Sequence, residues 1–188
     1  MKSATQVLRD EHEVILKMLD VLETIAHRMD AGAEIPGGVL DDLHEFFTQF
    51  ADRCHHCKEE ELLFPVLENK GMPRIGGPVG CMLVEHDQGR ELVQTMHGNA
   101  KGCVAGDKAA KSAWAEAARG YAVLLRNHIW KENQILFRMA DQLISEQEQE
   151  VLFAEFARVG EEKMGAGAHA RLHEMMEKLV GELTANAS

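Results

Sequence analysis

Histidine and glutamate stand four residues apart in His55-x-x-x-Glu59 and again in His128-x-x-x-Glu132. On a helix, positions i and i+4 share one face about 6 Å apart along the axis, so an imidazole and a carboxylate so spaced can reach a common metal site. His128 and Glu132 occupy consecutive positions of an apolar stripe, and His12 and His86 interrupt two others. A carboxylate on a buried face is strongly disfavoured without a cation, so Glu132 calls for a basic side chain or a metal ion. Four imidazoles and two carboxylates without a thiolate suit iron or manganese, with zinc a third candidate. Cys54-x-x-Cys57-Lys58 lies inside a helical pattern with no strand before it. It reads as helix packing rather than as a thioredoxin motif or a haem attachment site.

An internal repeat sets the register of these residues. The segment HHCKEEELLF aligns on HIWKENQILF at an offset of 73, placing His128 on His55, Glu132 on Glu59 and Leu136-Phe137 on Leu63-Phe64. Glu11-His12 matches Glu85-His86 at an offset of 74. His56-x-x-x-Glu60 has the same spacing as His55-x-x-x-Glu59 and is the competing pair. One turn upstream, the His55 face carries Phe47, Thr48 and Ala51 while the His56 face carries Gln49 and Arg53, so α-helical periodicity places His55 inward and His56 outward.

The elements that carry these residues are all helical. Apolar residues recur at steps of three and four, with no sustained alternation and no Asn-Gly hairpin turn. Helix A opens on Ser3-x-x-Gln6 as a capping box and ends at Gly32; helix B runs from about Val39 to Asn69. Helix C carries Met82, His86, Gly89, Val93, Met96 and Ala100. Helix D starts at Asp107 with the stripe Trp114, Ala118, Tyr121, Leu125, His128, Glu132, Ile135, Met139. These make an all-α, up-down-up-down four-helix bundle over 1–142. A helical extension over 143–188, opened by the capping box Ser145-x-x-Glu148, packs on it.

Taken in order, Glu11-His12, His55-x-x-x-Glu59-Glu60-x-x-Leu63-Phe64-Pro65, Glu85-His86 and His128-x-x-x-Glu132-x-x-x-Leu136-Phe137 resemble the bacterial hemerythrin-like proteins of the HHE cation-binding type, over roughly residues 5 to 142. The resemblance implies a non-haem dinuclear iron site, oxo- or hydroxo-bridged, with manganese or zinc less expected. His12, His55, His86 and His128 would be terminal ligands, and Glu59 and Glu132 bridging carboxylates. The oxygen carriers of the family have a second histidine where this chain has Arg90, and an aspartate five residues after the last histidine where this chain has Glu132 at four. Four histidines shared evenly leave each iron an exchangeable position, which favours reaction with a small oxidant (oxygen, peroxide or nitric oxide) fed by an electron donor. Oxygen or redox sensing, or storage of iron or oxygen without turnover, is the alternative. A related branch serves nitric oxide response and iron-centre repair, usually with an N-terminal cysteine segment that these residues do not include.

Composition bounds the rest. The 188 residues carry 20 Lys and Arg against 31 Asp and Glu, a net charge of −11, which argues against nucleic acid as the partner. No apolar run reaches membrane-spanning length and no signal peptide is read at the start, so a cytoplasmic protein with reduced thiols and no membrane partner is expected. Glu60 and Glu61 read as solvated charges, Glu85 equally as a surface residue or as a partner orienting His12 or His86, and Tyr121 as core. His27, His44 and His97 read as surface or packing residues. His169-x-x-x-His173 lies on an apolar face of the last helix and reads as a docking pair, with an extra metal ligand as the alternative.

Overall fold

The computed structural model describes residues 3–165 and 167–185, with the side chains of 164, 168–170, 173 and 182–185 outside the description. All regular structure among the described residues is helical. Helix α1 (Ala4–Asp30) starts where the Ser3 hydroxyl accepts from the Gln6 N–H. Gln6 turns its own side chain to Asp10, so only half of the expected capping box is made. Helix α2 (Gly37–Glu45) continues without a break through two π-helical stretches, Phe46–His56 and Glu59–Leu63, into α3 (Phe64–Asn69). After α4 (Pro78–Val104), a turn closed by Gly106 at φ +81° leads to α5 (Lys108–Lys131), capped by Asp107. Helix α5 runs on through a third π-helical stretch, Glu132–Leu136, into α6 (Phe137–Leu143). The capping box of Ser145 and Glu148 starts α7 (Glu146–Met164), and α8 (Ala168–Ala185) follows.

The π-helical stretches decide which residues face inward. At both repeats the chain widens at the glutamate itself: the Phe64 N–H donates to the Glu59 carbonyl, and the Phe137 N–H to the Glu132 carbonyl. Such a turn inserts an extra residue and shifts every later position around the helix. Ile135 and Met139, expected on the inner stripe, are therefore exposed, and Leu136, Phe137 and Ala140 take their place in the core.

Helix α5 packs between α1 and α4, while α2 and its π-helical continuation lie against α4. One apolar cluster, including Leu19, Leu22, Phe47, Met96 and Trp114, fills one end of the molecule. A second, including Leu8, Leu63, Phe64, Leu136, Phe137 and Phe156, fills the other. Helices α7 and α8 dock on the outside of α1 and of the α2 to α3 run. Leu152, Phe156, Leu172 and Leu179 are buried there, and Lys163–Glu61, Arg171–Glu45 and Lys178–Asp42 pair at the edges. The side chains of His169 and His173 lie outside the described residues. No described helix is long and apolar enough to cross a membrane.

Two glycines of α4 test how closely the helices pack. A Cβ on Gly102 would stand 2.5 Å from the Ala110 Cβ, whereas one on Gly98 meets nothing within 4 Å. Alanine gains about 1 kcal/mol of helix propensity at either position, but overpacking a rigid contact costs about 1–3 kcal/mol. Gly98→Ala is expected to raise the thermal midpoint and Gly102→Ala to lower it; a rise with both would show that α4 and α5 pack more loosely than described.

Candidate metal centre

Between the two apolar clusters, six polar side chains from four helical segments turn toward one another. Helix α1 supplies His12, the π-helical run after α2 supplies His55 and Glu59, α4 supplies His86, and α5 with its π-helical end supplies His128 and Glu132. All six are buried, and both glutamates are fully so. His12 and His55 stand with Glu59 and Glu132 in one group whose potential ligand atoms lie within 4.8 Å of one another, and His86 and His128 stand with the same two glutamates in another.

The two groups mirror each other. His12 Nε2 lies 3.0 Å from His55 Nε2, with the rings 4.6 Å apart at 56°. His86 Nε2 lies 3.0 Å from His128 Nε2, with the rings 4.7 Å apart at 57°. Glu59 reaches across both pairs, Oε1 to His55 Nε2 at 3.6 Å and Oε2 to His86 Nε2 at 3.5 Å. Glu132 does the same, Oε2 to His12 Nε2 at 3.1 Å and Oε1 to His128 Nε2 at 3.2 Å. Each carboxylate thus spans the two histidine pairs.

Every inward histidine is oriented from behind through Nδ1. His55 donates to Glu11 and His128 to Glu85, each at 2.9 Å; His86 donates to Glu60 at 2.6 Å and His12 to the Asn133 amide oxygen at 2.9 Å. Lys58 pairs with Glu11 and Lys131 with Glu85, again 73 residues apart. With Nδ1 committed outward, Nε2 of each ring faces its partner, the arrangement in which outer hydrogen bonds fix the tautomer of metal-ligating imidazoles. Glu85 therefore serves His128 across the bundle, not His12 or His86 as its neighbours in sequence suggested. Glu60 is no solvated charge, since it holds His86 and is itself held by Arg90.

The protons follow the charges. Burial pushes the His55 and His86 imidazoles down to about 3. Burial also works against the His128 imidazolium, but Glu132 and Glu85 beside it raise it to about 9. The Glu59 carboxyl is pushed well up, by burial first and then by the charge of Glu132. Even so, all four oxygens of Glu59 and Glu132 are buried without a hydrogen-bond partner. Buried unpaired acceptors of this kind are rare and costly. Four oxygens and the inward nitrogens converge on a space that hard or borderline divalent cations satisfy, so the residues present fit a metal pair.

His56 departs from the α-helical expectation. It is buried, because the π-helical winding of Phe46–His56 turns both members of the His55-His56 pair inward. It does not join the two glutamates; its ring stacks on His86 at 3.8 Å and its Nδ1 donates to Asp52 at 3.2 Å. Arg90 also donates to Asp52, at 2.9 Å. The repeat signals Glu11, Glu85, Lys58 and Lys131, whereas nothing in the sequence marked Asp52, Asn133 or Arg90 for these contacts. Tyr121 is core, as expected.

Two expectations follow. Glu59→Gln removes one of two crowded carboxylates, so the metal-free protein should melt higher than wild type, by at least about 1 kcal/mol. The rise in midpoint that added ferrous iron gives wild type should vanish in the variant. Burial raises the Asp52 carboxyl, but hydrogen bonds from His56 and Arg90 outweigh it and bring it from 3.8 to about 2. Its contribution is present above pH 3.8 and lost as pH falls through 2. Because Asp52 is partly exposed, wild type should lose about 1 kcal/mol over that window that Asp52→Asn does not. Parallel acid curves for the two proteins would contradict the assignment.

Residues 3–140 match the model of the hemerythrin HHE cation binding domain. An uncharacterized protein of Mycobacterium tuberculosis is 23% identical over 135 residues, covering 72% of this chain and 52% of the relative. The protein named iron-sulfur cluster repair protein YtfE is 31% identical over 138 residues in Cronobacter sakazakii and 32% over 139 residues in Salmonella typhimurium. Each match covers 70% of this chain and 60% of the relative. The chain thus spans about half to three fifths of the curated relatives it matches. No solved structure matches it. With the family model covering most of its length and the paired histidines and glutamates in place, the chain belongs to the hemerythrin HHE cation-binding domain family.

Proposed function

We propose that the chain is an up-down-up-down bundle of four helical runs that holds two iron ions and reacts with a small oxidant: oxygen, peroxide or nitric oxide. His12 and His55 would hold one ion, His86 and His128 the other, and Glu59 and Glu132 would bridge them. The observation that carries this reading is the pair of fully buried carboxylates, each spanning two histidine pairs and left without a hydrogen bond. Manganese or zinc would fit the same donors. Iron is favoured by the relatives named for iron–sulfur cluster repair.

An iron pair so held would supply two adjacent Lewis acids with exchangeable positions and a ferrous/ferric couple. The protein's part is to orient and to exclude. Glu11, Glu60, Glu85 and Asn133 fix the imidazoles from behind, and Lys58, Lys131 and Arg90 fix those acceptors in turn. Phe64 and Phe137 seal one side: Phe137 stacks on His12 at 5.5 Å, and Phe64 on His86 at 6.0 Å. The described residues from 143 onward would be a helical extension that covers the bundle rather than a second functional unit. The four free thiols accord with a reducing, cytoplasmic setting.

Purified protein is expected to hold about two irons per chain and, after anaerobic reduction, to be reoxidised by at least one of oxygen, peroxide or nitric oxide. One zinc and no iron would refute the reading. A stable, reversible oxygenated spectrum without turnover would reassign the centre to storage or sensing.

A further inference from the structure

The repeat that builds the centre fails on one side of it. At offsets of 73 and 74, Asp52, His56, Gly89 and Arg90 stand opposite Leu125, Ile129, Ile15 and Leu16. Ile15, Leu125 and Ile129 are buried core residues, and Leu16 packs against the same cluster. Beside His12 and His55 the matching residues are therefore apolar. On the other side Asp52, His56 and Arg90 are polar, and a cavity of about 60 Å³ opens among them, Gly89 and Tyr121, with Phe47 and Val93 as its apolar wall and His56 between it and His86. Gly89 keeps it open, because a Cβ there would come within 3.3 Å of the Tyr121 ring.

His56 forms the inner wall of that cavity, and one of its nitrogens lies within 4.8 Å of ligand atoms of His86 and His128. It is not placed as a fifth ligand. The lone pair of an imidazole nitrogen lies in the ring plane, so two rings that share a metal must have planes meeting about 2.1 Å from each nitrogen. The His56 and His86 rings are stacked, with centroids 3.8 Å apart and planes tilted by only 14°, so the planes converge far beyond that distance. The His12/His55 and His86/His128 pairs, tilted at 56° and 57° with their Nε2 atoms 3.0 Å apart, have the steep tilt that such a meeting needs.

The hydrogen bond to Asp52 then decides what His56 can recognise. A carboxylate has no proton to give, so Nδ1–H is the donor and Nε2 is left with a lone pair. A lone pair attracts a ligand that carries hydrogen and offers nothing to bare dioxygen, nitric oxide or an anion such as azide. We propose that hydrogen peroxide, entering through this cavity, is positioned at the His86/His128 side of the centre by donating an O–H hydrogen bond to His56 Nε2. Asp52, clamped by Arg90, sets the orientation of that imidazole. The proposal rests on the metal-centre reading above and narrows its oxidant to one that bears a proton.

The test uses the iron-loaded full chain, wild type against His56→Ile, which installs the residue found at the matching position 129. Iron per chain and azide affinity, followed by the charge-transfer absorption, are expected to stay within about twofold of wild type. The ratio of peroxide to oxygen rates in reoxidation of the reduced protein is expected to fall about tenfold, the size of one lost hydrogen bond. Asp52→Asn, which keeps a side chain of the same shape, should shift that ratio in the same direction by a smaller factor and serves if His56→Ile does not fold. Loss of an iron would make His56 a ligand and overturn the proposal. A parallel fall in azide affinity, or an unchanged rate ratio, would overturn it as well. Wild type that takes up no iron refutes the metal centre itself; loaded wild type with an unresponsive His56 variant refutes only the role of His56.

Discussion

Glu59 and Glu132 lie at the middle of the molecule with all four carboxylate oxygens buried and without a hydrogen-bond partner. Taking even one such charge out of water costs several kcal/mol, so the surrounding structure has to concentrate positive charge or protons between its helices. Without a cation the same pressure shows in the side chains themselves: against burial, Glu132 and Glu85 raise the His128 imidazole, and burial and the charge of Glu132 raise the Glu59 carboxyl. The proposed pair of divalent cations would do it with better geometry, since each carboxylate already spans two histidine pairs. On this view the helices are arranged around an electrostatic deficit that their own side chains leave unfilled.

Filling that space demands accurate placement, and the outer contacts supply it across helices rather than along them. Glu11 on α1 orients His55 on the neighbouring run, and Glu85 on α4 orients His128 on α5. Each acidic group is matched by a lysine, Lys58 or Lys131, from the helix whose histidine it holds. A rotation of any one helix would break contacts on two others, so the register of the bundle and the shape of the centre are one constraint. The π-helical turns at Glu59 and Glu132 belong to it as well. They bring the glutamate inward and still return Leu63-Phe64 and Leu136-Phe137 to the core.

Much of this was legible in the residues. The offset of 73 links His55-Glu59 to His128-Glu132, the offset of 74 links His12 to His86, and together with the apolar stripes these matches pointed to the six inward groups. Periodicity misled where the helix is not α: a rise of 3.6 residues per turn puts His56 outside and Ile135 inside, and the π-helical stretches reverse both. Glu60 looked, with Glu61, like a solvent-facing glutamate because its partners, His86 and Arg90, lie on a helix 26 and 30 residues away. Contacts of that kind leave no local pattern. The asymmetry between the halves was written in the repeat as mismatches, Asp52 against Leu125 and His56 against Ile129, yet it gains meaning only once both sides are seen to face the same pair of glutamates.

The central claim is that two cations sit between two histidine pairs and share both glutamates. Anomalous scattering from a crystal of the iron-loaded protein, measured at the iron edge, tests it directly. The account predicts two peaks per chain, one flanked by His12 and His55 and one by His86 and His128, with Glu59 and Glu132 reaching both. A single peak, or one seated among His56, His86 and His128 away from the glutamates, would contradict it.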